Sequence, residues 1–241
     1  MSHQLAAQAE RNRIDNTRFF MIWARLFSYL LLLVGVGIFA FVTIQPVTVL
    51  PRITLAPGYL LTNQNGERVT SEALRGQIVL YNFTYSRCRE GCSQTSQVMA
   101  EVARRLQTVD SGDIPVHFVT ISVDSDYDTP EVLAAYARQL DAGNAGVAWD
   151  FLTGAENRVR WVVGGGFGVY YKQGDGQSIK LDPAFMLVDG SGLLRAEYRT
   201  AVPDVDVILR DINFLIEEAQ NSDGPARFAY EAAHLFACYP R

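Results

Sequence analysis

The feature that most constrains this chain is an apolar run near its N-terminus. Residues 26–44 read LFSYLLLLVGVGIFAFVTI and contain no charged side chain. At about 1.5 Å of rise per residue, a helix of this length spans roughly 28 Å, close to the thickness of the hydrocarbon core of a bilayer. Phe19, Phe20 and Trp23 lie where aromatic side chains favour the membrane–water interface. The run therefore predicts a single transmembrane anchor over residues 19–45.

A cleaved signal peptide is the competing interpretation of this segment. Its apolar stretch would be about 7–15 residues long and would be followed by a small-residue cleavage site, and this run is longer and lacks such a site. Four arginines precede the run and one follows it, which predicts an N-terminus in the cytoplasm. We therefore expect a cytoplasmic tail over residues 1–18, a tether over 46–58, and a domain on the periplasmic, extracytoplasmic side of the cytoplasmic membrane.

Charge is distributed unevenly between the head of the chain and its body. Residues 1–52 carry a net charge of +3, and the remainder carries −8 within a total of −5. An acidic body of this kind lacks the basic surface that nucleic-acid binding requires. The three cysteines are too few for a disulfide-stapled scaffold, and the apolar content of 49% is that of a globular chain.

Strand and helix patterns alternate along the body. Buried strands are predicted at residues 76–85, 116–124 and 147–154, and helices at 91–109, 128–140, 155–163 and 205–220. Two hairpins are expected, one over 59–70 around Asn65-Gly66 and one over 184–199 around Asp189-Gly190. This order predicts an α/β domain over residues 59–221, with a mixed sheet flanked by helices.

Cys88 and Cys92 are four residues apart, where the first buried strand passes into a helix. Ligands of open α/β sheets bind at the carboxyl ends of the strands. Residues at this spacing share a helix face with α-carbons about 6 Å apart, within reach of a disulfide. Helix N-terminal amides and the neighbouring Arg87 and Arg89 favour thiolates, which exchange disulfides or bind a soft ion such as Cu(I). Two inert cysteines packed in the core are the remaining interpretation.

The body resembles the Sco/SenC family, membrane-anchored thioredoxin-like proteins that help to build the binuclear copper centre of cytochrome c oxidase. The matching segments are LRGQIVLYNFTYSRCREGC (74–92), ISVDSDYDTPEVLAAYA (121–137), WDFLTG (149–154), FGVYY (167–171) and FMLVDGSG (185–192). They follow one another in the family's order. The resemblance implies a thioredoxin-like fold, and it puts Cys88 and Cys92 on the two cysteines that bind copper in the family together with one distant histidine.

The family's histidine is missing from this chain. A gapless alignment on the strand FMLVD puts Leu181 at the histidine position with Asp182 beside it, and Ser93 stands where the family usually has proline. Pro183, six residues before Asp189 in PAFMLVD, resembles the cis proline that faces the cysteines in thiol–disulfide relatives. An X–Pro bond adopts the cis form at low cost, so this position can hold it. Asp182 would then lie near the sulfurs as a base or a hard oxygen ligand. The alternative is an ordinary loop aspartate before a proline.

The loss of the imidazole leaves two chemistries open. Two thiolates can hold Cu(I) in low coordination, but they hold Cu(II) poorly because imidazole suits Cu(II) and thiolates reduce it. The resemblance thus implies either Cu(I) delivery to the copper-carrying subunit of the oxidase or reduction of that subunit's cysteines, with Cys88 attacking and Cys92 resolving. A general extracytoplasmic thiol–disulfide oxidoreductase and a non-catalytic accessory subunit of a respiratory complex are the alternatives.

The tail, residues 222–241, extends beyond the resemblance and predicts a short helix that docks on the body or on a partner. His234 and Cys238 are four residues apart in it and offer two metal ligands. DSDYD, residues 124–128, lacks the glycine and glutamate of a calcium loop, so its acids are assigned to a strand end and a helix cap. His117 is assigned to the core or to a sheet face.

Overall fold

The computed structural model describes residues 2–44, 47–88, 92–174, 178–224 and 226–236. Within these ranges the side chains of residues 2–18, 41, 42, 44, 92, 93 and 236 are not described. The chain divides into two compact units, residues 1–47 and residues 48–241.

The first unit consists of one helix, α1 (Ser2–Ile44). Its segment Phe19–Ala40 is 22 residues long with a mean hydropathy of 2.0, and none of the span is buried within the protein. At about 1.5 Å per residue this segment is long enough to cross the hydrocarbon core of a membrane. In the described ranges, no second helix combines such length with such hydropathy. The apolar N-terminal helix expected from the sequence is therefore present.

The second unit is built on a six-stranded mixed sheet and two small hairpins. The strands are β1 (Thr54–Leu55), β2 (Leu60–Thr62), β3 (Arg68–Thr70), β4 (Ile78–Thr84), β5 (Val116–Ser122), β6 (Ala148–Leu152), β7 (Tyr171–Gln173), β8 (Ile179–Leu181), β9 (Phe185–Val188) and β10 (Leu193–Tyr198). The large sheet has the order β1-β10-β9-β4-β5-β6, and the hairpins are β2–β3 and β7–β8. Strands β4, β5 and β6 are parallel, whereas β9 runs antiparallel to β4 and β10 antiparallel to β9.

Helices cover both faces of this sheet. They are α2 (Cys92–Leu106), α3 (Pro130–Gln139), α4 (Glu156–Val159), α5 (Val205–Gln220) and α6 (Ala226–Phe236). Thr129 caps α3 by accepting a hydrogen bond from the backbone of Val132, as its sequence position predicts. Asp204 caps α5 in the same way, through the backbone N–H of Asp206.

The sheet buries one apolar layer on each face. Along β4, Ile78 and Leu80 belong to one layer, while Val79 and Tyr81 belong to the other. This alternation is the period of two expected for a strand covered on both sides. Helices α2, α3 and α5 complete the first layer, and α4 with the two hairpins completes the second. The predicted mixed α/β fold is thus confirmed.

Part of the segment expected to be a tether over 46–58 packs on the body. Val49 and Leu50 are buried, and β1 extends the sheet by pairing Thr54 with Leu194 of β10. A tether and a short edge strand are hard to distinguish in sequence, because both are extended and both tolerate proline.

The glycine run 164–166 forms the end of a helical segment. After α4 the chain continues as a π-helix over Arg160–Gly166. Packing requires glycine at position 166, because a Cβ there would come within 2.3 Å of the Cβ of Pro57.

Candidate functional site

The carboxyl ends of the parallel strands meet at one edge of the sheet, and the cysteine segment begins at this edge. Thr84 at the end of β4 lies opposite Ser122 at the end of β5. The backbone N–H of Val123 donates to the carbonyl of Thr84 at 2.9 Å. The loop after β4, residues 85–88, and the loop after β5, residues 123–128, are therefore neighbours.

A buried carboxylate, that of Asp128, holds the chain just before Cys88. Asp128 has no exposed surface. It accepts hydrogen bonds from the backbone N–H of Ser86 at 2.9 Å, from the Ser86 hydroxyl and from the Ser122 hydroxyl. A buried carboxylate needs such donors to offset its desolvation. Asp128 thus fixes the backbone two residues before the first cysteine.

A second carboxylate, that of Asp124, holds the residue next to Cys88. Nε and Nη2 of Arg87 lie 3.0 and 2.6 Å from Oδ2 of Asp124, which is 3% exposed. The guanidinium also stacks 4.0 Å above the ring centroid of Tyr127. The hydrogen bond to Asp124 raises the pKa of Arg87 above its usual range. The positive charge that the sequence places beside Cys88 is therefore largely compensated by a neighbouring carboxylate.

Sequence analysis did not assign Asp124 and Asp128 to the site. Both follow β5, the strand that pairs in parallel with β4, so their loop lies at the same sheet edge as the cysteine loop. The signal that could have found them is this rule of shared carboxyl ends, applied to the acidic pair after a buried strand.

Cys88 is half-buried and packs against the second apolar layer, between the sheet and the hairpins. Its backbone N–H donates to the carbonyl of Tyr85 at 3.1 Å, and its sulfur is disulfide-bonded. Cys92 is the first residue of α2. Its side chain and that of Ser93 lie outside the described residues, as does Arg89. The position of the second thiol therefore stays a prediction.

Strand β8 brings the family's histidine position into this region. The hydroxyl of Tyr85, three residues before Cys88, donates to the carbonyl of Ile179 at 3.2 Å and accepts from its N–H at 3.3 Å. Leu181, two residues further along β8, packs against the same apolar layer as Cys88. An aliphatic side chain there offers no ligand atom. Nowhere in the described ranges do three His, Cys, Asp or Glu side chains cluster closely enough to hold a metal ion.

Asp182 and Pro183 continue from β8 towards β9. Asp182 is exposed, and its backbone N–H donates to the carbonyl of Tyr170 at 2.9 Å. The described residues contain no cis peptide bond, so the expected cis form at Pro183 is wrong. The hydrogen-bonded ladder of the hairpin continues through Asp182. The Asp182–Pro183 peptide bond is trans, and the chain continues in the extended direction into β9.

The two histidines with described side chains have partners away from the cysteines. Nε2 of His117 lies 2.9 Å from Oδ2 of Asp150, which agrees with the expected sheet-face role. Burial opposes ionisation of Asp150, but hydrogen bonds from His117 and Asn63 outweigh it and lower the pKa of the carboxyl group. Nε2 of His234 lies 2.8 Å from Oε1 of Glu218, so this histidine helps to dock α6 on the body. Its proposed metal partner Cys238 lies outside the described residues.

Curated proteins related to this chain carry Sco names. The SCO1 protein homolog of Bacillus subtilis is 26% identical over 144 residues, covering 58% of this chain and 71% of that protein. A SCO2-like protein of Rickettsia felis is 30% identical over 135 residues, covering 56% of this chain and 60% of that protein.

Solved structures with a similar fold carry Sco names as well. A SCO1/SenC family lipoprotein from Bacillus anthracis superposes with a TM-score of 0.61 at 22% identity, over 67% of this chain and 95% of that one. BsSco, described with a disulfide switch, gives 0.57 at 24% identity over 69% and 96% of the chains. Copper-bound ScoI from Arabidopsis thaliana gives 0.57 at 20% identity over 69% and 98%.

The sequence profile of the SCO1/SenC family matches residues 50–217. This range contains all six strands of the large sheet, together with both loops at the cysteine edge. The match covers well over half of the chain, and this chain therefore belongs to the SCO1/SenC family.

Proposed function

We propose that this chain is a membrane-anchored Sco protein that acts in assembly of the copper centre of cytochrome c oxidase by thiol–disulfide exchange through Cys88 and Cys92. The observation that carries the proposal is the state of Cys88, a half-buried and disulfide-bonded residue on a loop that Asp128 and Asp124 hold in place. The similar BsSco is described as having a disulfide switch and as a member of a family of cytochrome c oxidase assembly proteins.

The exchange needs the two thiols in a fixed order. With both cysteines reduced, the Cys88 thiolate attacks the client's disulfide, forms a mixed disulfide, and releases one client thiolate. The Cys92 thiolate then attacks the Cys88 sulfur, which releases the second client thiolate and forms the Cys88–Cys92 disulfide. Two electrons pass from this chain's dithiol to the client's disulfide. A dithiol reductant in the same compartment must reduce the pair before the next turn.

Delivery of Cu(I) is the second candidate, with copper as cargo. It is favoured by the copper-bound ScoI of similar fold and by the softness of two thiolates. Leu181 at the histidine position weighs against Cu(II), because no imidazole completes the ligand set. The dithiol reaction needs no third ligand, and for that reason we rank it first.

Helix α1 is the proposed anchor. The span Phe19–Ala40 has the length and hydropathy for it. The arginines at positions 11, 13, 18 and 25 favour a cytoplasmic N-terminus, which puts the body on the periplasmic side, where the oxidase acquires its copper in this proposal.

The test is a trap in the source organism with Cys92→Ser. Without the resolving thiol, Cys88 is expected to remain in a mixed disulfide with the oxidase subunit that carries the binuclear copper site, detected by non-reducing electrophoresis and mass spectrometry. The Cys88→Ser/Cys92→Ser variant is the control. If Cys88→Ser still supports normal oxidase assembly and Cys92→Ser traps no client, the proposal fails.

Copper titration separates the two candidates. The reduced full-length protein and its Cys88→Ser/Cys92→Ser variant are titrated with Cu(I) under a competing chelator. One equivalent of tightly held Cu(I) that depends on both cysteines would favour delivery, whereas the absence of such binding would favour the exchange reaction alone.

A further inference from the structure

In the hairpin β7–β8, some backbone N–H and C=O groups of β7 point outward, away from β8. The backbone N–H of Asp182 donates to the carbonyl of Tyr170 at 2.9 Å, and that of Gly174 donates to Ser178 at 2.8 Å. Hydrogen-bonded and non-hydrogen-bonded pairs alternate along an antiparallel ladder. Tyr171 and Gln173 lie at the non-hydrogen-bonded positions and therefore turn their N–H and C=O groups away from β8.

The two outer edges of the hairpin differ. On the β8 side, Ile179 is opposite Gln173, and both of its outward groups bond to the hydroxyl of Tyr85. On the β7 side, no described residue forms a hydrogen bond with the outward backbone groups of Tyr171 or Gln173. Among the described residues, strand β7 thus has an unpaired outer edge, and such an edge can accept another strand.

This open edge forms one wall of a cleft of about 800 Å³. Asp124, which holds Arg87 beside Cys88, lines the same cleft, and so does Tyr171. Tyr171 and Cys88 also pack against the same apolar layer. The cleft therefore adjoins the loop that carries the reactive cysteine.

Charge in the cleft does not select a strongly acidic or basic ligand. Asp124 is paired with Arg87, and Glu156 is paired with Arg160. Asp126 and Lys172, which also line the cleft, carry opposite charges. What the wall offers instead is an alternation of backbone donors and acceptors, and an extended peptide presents the complementary pattern.

We propose that β7 binds an extended segment of the client protein as an added strand, and that this pairing brings the client's disulfide to Cys88. The inference rests on the proposed exchange reaction and adds the way in which the client is held. Main-chain pairing gives affinity, and the side chains of the cleft give selectivity.

The test uses full-length protein in detergent with Cys92→Ser and Cys238→Ser, so that Cys88 is the one thiol. The probe is a short alternating threonine–valine peptide whose central cysteine forms a mixed disulfide with a coloured aryl thiol. Attack by Cys88 forms the Cys88–peptide disulfide and expels the aryl thiolate, whose absorbance gives the rate. The same mixed disulfide of N-acetylcysteine amide is the comparison, because it has the same reacting group and no strand.

We expect the peptide to react about tenfold faster than the amino-acid probe, the effect of about two net main-chain hydrogen bonds. N-methylation of the alternate amides on one edge of the peptide should abolish the gain, and methylation on the other edge should leave it. Equal rates for peptide and amino acid, or no effect of methylation on either edge, would overturn strand addition while leaving the exchange reaction intact. Failure of both probes to modify Cys88 would instead refute the exchange reaction and the inference with it.

A protein variant tests the same edge from the other side. Gln173→Pro removes an outward N–H that makes no bond to β8, so the hairpin should persist while the peptide loses its advantage. Gln173→Ala keeps the N–H and is the matched control. A concentration-dependent dimer that Gln173→Pro abolishes would show that a second copy takes the edge, and it would overturn the assignment to the client.

Discussion

Asp128 accepts hydrogen bonds from both the backbone N–H and the hydroxyl of Ser86, two residues before Cys88. The hydroxyl of Ser122 on β5 donates to the same carboxylate. One buried side chain thus joins the ends of two neighbouring strands to the cysteine loop. At the scale of single residues, the position of the cysteine loop therefore depends on this buried acceptor.

Asp128→Asn should weaken both the fold and the loop. An amide turns one acceptor into a donor that faces other donors, which should cost about 2 kcal/mol in the free energy of unfolding. Urea denaturation of the soluble body measures this loss, and Cys88 in the reduced protein should be alkylated faster. Asp126→Asn, which changes an exposed acid in the same loop, is the control and should change neither quantity.

Leu181→His tests whether the missing ligand is what prevents Cu(II) binding. Leu181 packs on the apolar layer that also contacts Cys88, so an imidazole at this position should add the nitrogen ligand that two thiolates lack. The variant is expected to bind one equivalent of Cu(II) with a thiolate-to-copper absorption band, and the wild type is not. Leu181→Gln controls for polarity, and a stable Cu(II) complex of the wild-type protein would contradict the prediction.

Between elements, a buried arginine links the sheet to the helices and to the start of the body. Arg195 of β10 is 1% exposed, with Nη1 2.8 Å from Oδ2 of Asp189 and Nη2 2.8 Å from Oε2 of Glu218 on α5. It also donates to the carbonyl of Leu50 at 2.7 Å. Because Glu218 bonds to His234 of α6 as well, this network holds four parts of the chain together. Removing one partner from such a network leaves a buried charge uncompensated.

The pKa of Glu218 predicts how this network responds to acid. Burial opposes ionisation of Glu218, but hydrogen bonds from His234 and Arg195 outweigh it and lower the pKa of the carboxyl group to about 2. Since the folded pKa is below the unfolded one, the stability gained from ionisation is present above about pH 4.5 and is lost as pH falls towards 2. This loss amounts to at most about 3 kcal/mol.

Urea denaturation between pH 5 and 3 checks this dependence. Glu218→Gln should be less stable at neutral pH and should show a shallower loss of stability with acid than the wild type. Glu217→Gln, an exposed neighbour on the same helix, should follow the wild-type curve. Identical slopes for Glu218→Gln and the wild type would contradict the assignment.

The elements that sequence could predict are those with a long local pattern. β4, β5 and α5 have seven to sixteen residues of clear periodicity, and Thr129 and Pro130 mark the start of α3. β1, β7 and β8 have two or three residues each, too few for a period. They depend on distant partners, as when Tyr85 bonds Ile179 across 94 positions. The cysteines were predicted from a local spacing of four residues. Asp124 and Asp128 are distant from them in sequence, so their role depends on the pairing of β4 with β5.

At the scale of the whole molecule, the chain divides into two compact units, residues 1–47 and residues 48–241. Residues 48–241 contain both apolar layers, so this part should fold without α1. We predict that removal of residues 1–47 gives a water-soluble protein with an unchanged rate of Cys88 alkylation after reduction. Full-length protein should stay with membranes through an alkaline carbonate wash, and its release would contradict the anchor.

Arg52, near the start of the body, forms ion pairs with helices α5 and α6. Nη1 of Arg52 lies 3.8 Å from Oε2 of Glu231, and Nη2 lies 3.7 Å from Oε1 of Glu218, so the first residues of the body lie beside helix α6. The start of the body and helix α6 are therefore adjacent, and such closeness is what circular permutation of a domain requires. A permuted body, joined by a short linker from residue 236 to residue 48 and opened at the exposed turn around Gly112, would keep every strand pair of the sheet while reversing which half is made first.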